Sequence, residues 1–238
     1  MFDISGRHAL VTGGTSGIGA AIAGALAEAG CHVTAAGLAP AEGAYAPPAT
    51  VTTAELDVTN AAAVGRLVGG LERLDILVNA AGIIRRSAEY DLETFAQVVD
   101  VNLTGTMRLC SACRPLLAEK GGSVVNVASM LSFFGAGLAP AYSASKGGIA
   151  QLTKSLAIAW AADGIRVNAI APGYFRTAMT ETFYGDPEWE RRMLEKIPQR
   201  RFGRMDDLAG AALFLASDAS SYVTGHCIPV DGGYLASI

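Results

Sequence analysis

The sequence contains no long apolar run and no strong excess of charge. No apolar segment reaches the roughly 18 residues that a membrane-spanning helix requires. The N-terminus Met1-Phe2-Asp3-Ile4 lacks the charged-then-apolar form of a signal peptide. The formal net charge of −4 argues against a surface for nucleic acid or anionic membrane. We therefore expect a soluble, cytoplasmic protein that binds neither nucleic acid nor membrane.

Cysteine and histidine are also scarce, with four and three residues respectively. Cys110 and Cys113 form a C-x-x-C motif, but it falls midway along a predicted helix, where no helix N-terminus stabilises a thiolate. His8, His32 and His226 are far apart in the sequence and lack the spacing of metal ligands. We expect no disulfide framework, no redox motif and no metal site.

The chain is long enough for one α/β domain over residues 1–238. Hydrophobic residues make up 51% of the 238 positions and charged residues 17%, which argues against disorder and for a core that needs no disulfide or metal. Strand patterns alternate with helix patterns, which is typical of a doubly wound parallel sheet of about seven strands. The predicted strands are 8–12, 32–37, 51–56, 74–78, 123–128, 165–170 and 226–230. The predicted helices include 20–29, 60–71, 91–101, 142–162 and 206–217.

Two segments do not fit the alternation. Residues 38–53 carry three prolines and are predicted as a loop in place of a full helix. Residues 174–204 are polar and irregular, and we interpret Pro187 and Pro198 as breaks there. Such a segment suits a mobile lid over a binding site.

A glycine-rich turn follows the first predicted strand and opens a helix. Its spacing is Gly-x-x-x-Gly-x-Gly, from Gly13 through Gly17 to Gly19, with Ser16 and Ile18 beside the later glycines. Glycine lets the backbone approach a pyrophosphate, and a helix N-terminus offers free N–H groups and a positive dipole end. The alternative is a tight strand-to-helix turn without a ligand. We interpret the turn as the phosphate-binding start of a Rossmann-like fold.

The end of the second predicted strand bears on the choice of dinucleotide. An acidic residue there binds the adenosine ribose of NAD, whereas a nearby arginine accommodates the 2′-phosphate of NADP. This sequence has Gly37 and Leu38 instead, and the next basic residue downstream is Arg66. We predict a moderate preference for NAD(H). NADP(H) is the open alternative, because no acid repels the phosphate either.

The segment with the clearest chemical potential is Tyr142-x-x-x-Lys146, with Ser129 thirteen residues upstream of Tyr142. On a helix, residues four apart project from one face. An ammonium close to a phenol favours the phenolate and lowers the phenol pKa from its reference value near ~10. A serine at the end of the fifth strand can hold a substrate oxygen beside that phenol. The alternative for the bare pattern is ordinary helix surface.

Together these segments resemble the short-chain dehydrogenase/reductase family over essentially the whole chain. The resemblance includes an asparagine motif after the fourth strand, in which Ala80 replaces a second asparagine of the family pattern. The matching pieces are Thr12-Gly13-x-x-x-Gly17-x-Gly19, Asp57, Asn79-Ala80-Ala81-Gly82, Asn102, Ser129, Tyr142-x-x-x-Lys146, Pro172-Gly173 and Asp231-Gly232-Gly233.

The resemblance implies a catalytic set of four residues. Tyr142 would be the acid/base, and Lys146 would lower its pKa while holding the nicotinamide ribose. Ser129 would orient the substrate oxygen. Asn102 would anchor a water that relays protons, a role compatible with its structural alternative of bridging a helix kink.

The resemblance also implies a cofactor site along the same edge of the sheet. Asp57 and Val58 would flank the adenine, while Phe175 and Thr177 would meet the carboxamide. Asn79 would more readily brace the sheet edge than touch substrate. The implied cofactor residues are Gly13, Ser16, Gly17, Ile18, Gly19, Leu38, Asp57, Val58, Asn79, Ala80, Gly82, Tyr142, Lys146, Pro172, Gly173, Phe175 and Thr177.

A closer likeness is to the sugar-acid branch of the family, which includes 2-deoxy-D-gluconate 3-dehydrogenase and gluconate 5-dehydrogenase. The shared phrases include the segments 81–86, 128–133, 171–174 and 230–233. Arg85 and Arg86 follow the end of the fourth predicted strand, at the edge of the sheet that also carries Ser129. We therefore predict that one of them meets the carboxylate of such a substrate, with Ser129 and Tyr142 at the reacting oxygen. Of the two arginines we favour Arg85, and the alternative is that both are solvated or pair with nearby acids.

Other functions remain open at this point. A 3-oxoacyl-thioester reductase would prefer NADP and would want a basic residue at Ser16 or Leu38. A cofactor-bound sensor without turnover commonly lacks the tyrosine or the lysine, and both are present here. The family resemblance further implies a homotetramer, with the helices near 100–118 and 142–162 paired across a two-fold axis.

Overall fold

The computed structural model describes residues 1–38, 48–181 and 184–237. Seven strands are found in this part of the chain: β1 His8–Thr12, β2 His32–Gly37, β3 Val51–Glu55, β4 Ile76–Asn79, β5 Ser123–Val127, β6 Arg166–Pro172 and β7 Cys227–Val230. The α-helices are α1 Gly17–Glu28, α2 Ala61–Gly69, α3 Leu92–Val99, α4 Gly105–Ala118, α5 Pro140–Trp160, α6 Pro187–Lys196 and α7 Met205–Ala216. The predicted strands match these bounds to within two residues.

The strands form one parallel sheet in the order β3-β2-β1-β4-β5-β6-β7. The order reverses at β1, which pairs with β2 on one side and with β4 on the other. Ligands of such sheets bind beyond the carboxyl ends of the strands at this reversal. The predicted α/β, Rossmann-like doubly wound fold is confirmed.

Helices cover both faces of the sheet because neighbouring strand residues point to opposite sides. Val11 lies in the buried cluster that contains Ile22 of α1 and Leu208 of α7. Its neighbour Leu10 lies in the cluster with Leu109 of α4 and other residues of α2 and α5. Both faces of the central strands are therefore covered by helices.

The segment after β6 differs from the sequence prediction. We interpreted Pro187 as a break, but it is the first residue of α6. Asp186 caps this helix, because its carboxylate accepts hydrogen bonds from the backbone N–H groups of Glu188 at 3.0 Å and Trp189 at 3.3 Å. Proline fits the first helical turn because an N–H at that position has no acceptor within the helix, so its absence costs no hydrogen bond.

Two other predictions meet the limits of the described structure. Of the predicted loop at 38–53, residues 39–47 lie outside the described residues. No helix among the described residues is both long enough and apolar enough to cross a membrane. The same part of the chain contains no cluster of three or more histidine, cysteine or acidic side chains suited to a metal ion.

Candidate active site

A cavity of about 560 Å³ opens at the carboxyl edge of the sheet. Its walls come from the glycine-rich turn, the loops after β4 and β5, the first turns of α5 and the segment after β6. The predicted site residues that line it are Gly13, Ser16, Gly17, Ile18, Gly19, Ala80, Gly82, Ser129, Tyr142, Lys146, Pro172, Gly173, Phe175 and Thr177. The structure therefore brings together the glycine turn and the Ser-Tyr-Lys set.

Backbone conformation explains the glycines of the turn. Gly13 has φ of +65°, and a Cβ there would lie 2.7 Å from the backbone nitrogen of Ala81. At Gly19 a Cβ would overlap the carbonyl oxygen of Gly13. Helix α1 begins at Gly17, and its first turn contains no acidic residue. Its positive dipole end and free N–H groups thus face the cavity, which suits a pyrophosphate.

The adenine side of the predicted cofactor site lies outside this cavity. A Cβ at Gly37 would lie 2.6 Å from the Thr15 hydroxyl, so that hydroxyl would have to move before an acidic side chain could stand there. Leu38 is 66% exposed. Asp57 is exposed beyond β3, where hydrogen bonds from Thr59 hold the pKa of its carboxyl below the usual range. Val58 is buried. The assignment of these residues to the adenine end of the cofactor stays a prediction.

Tyr142 and Ser129 meet directly inside the cavity. Burial raises the pKa of the Tyr142 phenol, while a hydrogen bond with Ser129 and the charge of Arg86 lower it. The net direction is opposite to the lowered pKa that we expected from Lys146. Burial removes water that would otherwise solvate the phenolate, and this cost exceeds the favourable contacts. The phenol is therefore protonated at neutral pH.

Lys146 reaches the same space from the next turn of α5. Its Nζ lies 5.6 Å from the centre of the Tyr142 ring and donates a hydrogen bond to the carbonyl oxygen of Val127 at 2.6 Å. The side chain is buried, and burial lowers its pKa to about 8. A dry ammonium of this kind is suited to hold a polar ligand group such as ribose hydroxyls.

Ser129 is held in place by the turn that it opens. Its side chain accepts a hydrogen bond from the N–H of Leu131 at 3.2 Å, and its own N–H donates to the Ser132 hydroxyl at 3.3 Å. Ser132 in turn donates to the carbonyl of Lys146 at 2.6 Å. The end of β5 is thereby tied to the helix that carries Tyr142.

Asn102 acts behind the cavity wall. It lies in a π-helical turn, Asp100–Thr104, between α3 and α4. Its amide oxygen accepts from the N–H of Ile83 at 2.8 Å, and its amide nitrogen donates to the Ile83 carbonyl at 2.9 Å and to the Ser145 hydroxyl at 3.1 Å. These contacts fix the loop after β4 against α5, so the side chain joins a loop to a helix. The predicted water relay stays a prediction.

Asn79 braces the sheet. Its amide nitrogen donates to Asn126 at 2.9 Å and to the Cys110 sulfur at 3.3 Å, and Asn126 donates to the Thr153 hydroxyl at 3.0 Å. The side chain does not line the cavity, so its assignment to the cofactor set rests on the resemblance alone. Cys110 and Cys113 are buried in the core, and burial raises the pKa of each thiol to about 12.

The two arginines after β4 point in different directions. Arg85 is exposed, and its guanidinium donates to the carbonyl of Ile84 at 3.3 Å. Arg86 is half-buried, lines the cavity and donates to the carbonyl of Met179 at 3.3 Å. Burial lowers the pKa of Arg86, while the Tyr142 phenolate would raise it. The preference for Arg85 is thus corrected to Arg86, because adjacent side chains diverge and only the second faces inward.

Sequence reasoning also missed the aromatic wall of the cavity. Tyr174, Tyr184 and Trp189 line it from the segment after β6. The Tyr184 ring lies edge-on to Trp189 at 5.7 Å and to Phe202 at 4.9 Å. The signal that could have found this wall is the density of aromatic residues in a segment otherwise interpreted as polar.

This fold and this site define a class of enzyme: the chain belongs to the short-chain dehydrogenase/reductase family. A family model described as enoyl-(acyl carrier protein) reductase matches residues 13–235. The cavity is lined together by the glycine turn, Ser129, Tyr142 and Lys146.

Several proteins resemble the whole chain. It is 43% identical over 246 residues to the 2-dehydro-3-deoxy-D-gluconate 5-dehydrogenase of Bacillus subtilis, with 99% of this chain and 97% of that one covered. It is 37% identical over 243 residues to a 3-oxoacyl-(acyl-carrier-protein) reductase of Rickettsia bellii, with 99% of each covered. A gluconate 5-dehydrogenase from Burkholderia cenocepacia, solved with NADP and tartrate, matches with a TM-score of 0.91 at 32% identity, covering 100% and 98% of the two chains.

The family and the relatives make this chain an NAD(P)-dependent oxidoreductase. It transfers hydride between a nicotinamide cofactor and a secondary alcohol or ketone. The residues present fit the cofactor, because the glycine turn and the start of α1 line the cavity and the first turn of α1 carries no acidic residue that would repel a phosphate.

Replacing Tyr142 with Phe tests the assignment of the proton-transfer group. The variant keeps the ring packing but loses the hydroxyl, so kcat should fall by a factor of order 10²–10⁴ on any substrate that the wild type turns over. Dinucleotide affinity and melting temperature should change little. Tyr222→Phe is the matched control, because that ring is fully exposed. Near-normal kcat in Tyr142→Phe would remove Tyr142 from the mechanism.

Proposed function

We propose that this protein interconverts the secondary alcohol and the ketone of a sugar acid. The observation that carries the proposal is that Arg86 and Tyr142 line the same cavity, where the charge of Arg86 acts on the phenol. The described residues that line this cavity include two cations, Arg86 and Lys146, and no carboxylate. A guanidinium presents a planar fork that matches a carboxylate. The relatives named for gluconate-type substrates, one of them solved with the dicarboxylate tartrate, support this choice.

Tyr184 adds support for a substrate with several hydroxyl groups. It lines the cavity, and its hydroxyl is buried without a hydrogen-bond partner among the residues that the structure describes. An unsatisfied buried hydroxyl costs about 1–3 kcal/mol, which a substrate hydroxyl would relieve. The segment 174–204, which carries Tyr184 and the other aromatic residues, would act as the lid that excludes water.

The proposed mechanism assigns proton transfer to Tyr142. The glycine turn, Lys146 and the residues Pro172 to Thr177 would hold the cofactor, which when bound exchanges the hydride with the carbinol carbon. Ser129 would hold the substrate oxygen beside the phenol. Because burial raises the pKa of Tyr142, its neutral form is ready to protonate a ketone oxygen. In oxidation the phenolate would accept the proton of the alcohol. Oxidation should therefore be faster at higher pH, where more of the phenol is ionised.

Replacing Arg86 with Ala tests the substrate class. Loss of a charge-assisted contact worth roughly 1.5–3 kcal/mol should raise KM for an acid substrate such as gluconate about tenfold or more. KM for the dinucleotide should not change. Arg85→Ala is the matched control, since the neighbouring arginine is exposed and outside the cavity lining.

An unchanged KM in Arg86→Ala would contradict the sugar-acid assignment. The second candidate, a 3-oxoacyl-thioester reductase, is favoured by the similarity to the Rickettsia bellii reductase. A short thioester analogue has no carboxylate at the reacting end, so its KM would not depend on Arg86. Faster turnover of such an analogue than of any sugar acid would support that second function.

For the cofactor we propose a moderate preference for NAD(H) over NADP(H), although several solved relatives hold NADP. A 2′-phosphate binds well only opposite a cation, and the sequence has no lysine or arginine between Arg7 and Arg66. The kcat/KM measured with NAD⁺ should therefore exceed that with NADP⁺. Leu38→Arg should raise kcat/KM for NADP⁺ selectively, because Leu38 is exposed and its replacement disturbs no packing. A clearly higher kcat/KM with NADP⁺ in the wild type would contradict the preference.

We also propose a homotetramer. Helix α5 leaves Ile158 exposed, and Tyr222 near the C-terminal segment is fully exposed. Apolar residues at such positions are suited to pair across symmetry axes. Light scattering at micromolar concentration should give four times the mass of one chain, and Ile158→Glu should lower that mass. A stable monomer in the wild type would contradict the proposal.

A further inference from the structure

Glu89 is a buried carboxylate next to the active site that the mechanism above does not use. It lies in the short 3₁₀ turn Ala88–Tyr90, directly after the loop that carries Arg86, and its exposure is only 1%. A buried carboxylate is costly unless hydrogen bonds and positive dipoles compensate it. Its contacts therefore indicate why this residue is buried here.

The two oxygens of Glu89 serve two different parts of the site. Oε1 accepts a hydrogen bond from the backbone N–H of Arg85 at 2.8 Å, within the loop that presents Arg86. Oε2 accepts from the backbone N–H of Tyr142 at 2.9 Å, 53 residues away in the sequence. One carboxylate thus joins the loop after β4 to the start of α5.

The position of Tyr142 in α5 makes this contact favourable. Helix α5 begins at Pro140, so the N–H of Tyr142 lies in the first turn, where no earlier carbonyl of the helix is available. The first turn of α5 contains no acidic residue of its own, and its N-cap residue, Ala139, makes no side-chain hydrogen bond. Glu89 supplies from outside the helix the negative charge that its positive dipole end favours.

We propose that Glu89 is the positioning residue that fixes Arg86 and Tyr142 relative to each other, so that a carboxylate and a reacting oxygen of one substrate are bound together. This inference rests on the proposed function, because it assigns Arg86 to the substrate carboxylate and Tyr142 to the reacting oxygen. It concerns a separate residue that touches neither group of the substrate. Glu89 acts through its hydrogen bonds with the backbone N–H groups of Arg85 and Tyr142.

The charge of Glu89 gives this role a signature in the pH profile. The groups that face the Tyr142 phenol are Ser129 after β5, Arg86 and Glu89 after β4, and Lys146 on the same helix. Among them Glu89 raises the pKa of the phenol, while Ser129 and Arg86 lower it. Removing the negative charge should lower that pKa. The pH range over which kcat for alcohol oxidation rises (the oxidation limb of the pH profile) should then move to lower pH.

Glu89→Gln is the test, because the amide keeps the volume and has one acceptor oxygen in place of two. One of the two N–H groups then faces an NH₂ group. KM for the acid substrate should rise about 2- to 10-fold, the range of one lost hydrogen bond. KM for the dinucleotide should stay constant, and the oxidation limb should shift to lower pH. Glu89→Asp keeps the charge but shortens the side chain. Its oxidation limb should lie at the wild-type pH, while its KM for the acid substrate should stay raised.

Glu93→Gln is the matched control, since it makes the same chemical change at an exposed carboxylate four residues further on. Melting temperatures are measured for every variant. A lower melting temperature in Glu89→Gln with unchanged KM and unchanged pH profile would overturn the proposal and leave Glu89 a purely structural residue.

The double variant Glu89→Gln/Arg86→Ala separates this inference from the proposed function. If Glu89 acts through Arg86, its effect on KM should disappear when Arg86 is absent, while the shift of the pH limb persists. An effect on KM of equal size in both backgrounds would overturn the link to Arg86. If Arg86→Ala alone leaves KM unchanged, the sugar-acid assignment fails, and the pH limb still decides whether Glu89 positions Tyr142.

Discussion

The close approach of two backbones at the reversal of the sheet sets the geometry of the whole site. Gly13, at the end of β1, lies against the backbone of Ala80 and Ala81 at the end of β4 with no room for a Cβ between them. Residues from both sides of this contact and from the start of α1 line the cavity. The loops after β4, β5 and β6 all leave the same edge, so groups from distant parts of the sequence meet there.

Burial, more than any single charge pair, determines the electrostatics of the cavity. It lowers the pKa of Lys146 and Arg86 and raises that of Tyr142. All three groups are thereby biased toward their neutral forms, although they lie close together. An anionic ligand would reverse the bias on the two cations, since a nearby negative charge favours their protonated forms. The site is thus electrostatically suited to a negatively charged ligand.

The sequence was sufficient for the bounds of the strands, because these depend on local periodicity, and for placing Tyr142 and Lys146 one helical turn apart. It was insufficient where the outcome depends on contacts between distant segments. Arg86 faces the cavity and Arg85 does not, since the loop after β4 is fixed by Asn102 and Glu89 from elsewhere in the chain. Helix α6 was missed because Pro187 was interpreted without the cap that Asp186 provides. The direction of the Tyr142 pKa depends on burial, which no local pattern reveals.

The two core cysteines of α4 have a consequence for studying the protein. Cys110 and Cys113 are fully buried on the face of α4 that packs against the sheet, and burial raises their pKa to about 12. A thiol in this state reacts with an alkylating reagent only after the helix has separated from the sheet, because the reactive thiolate is absent in the native packing. The rate at which these two native cysteines are alkylated therefore reports how often the interface between α4 and the sheet opens, and no probe residue has to be introduced.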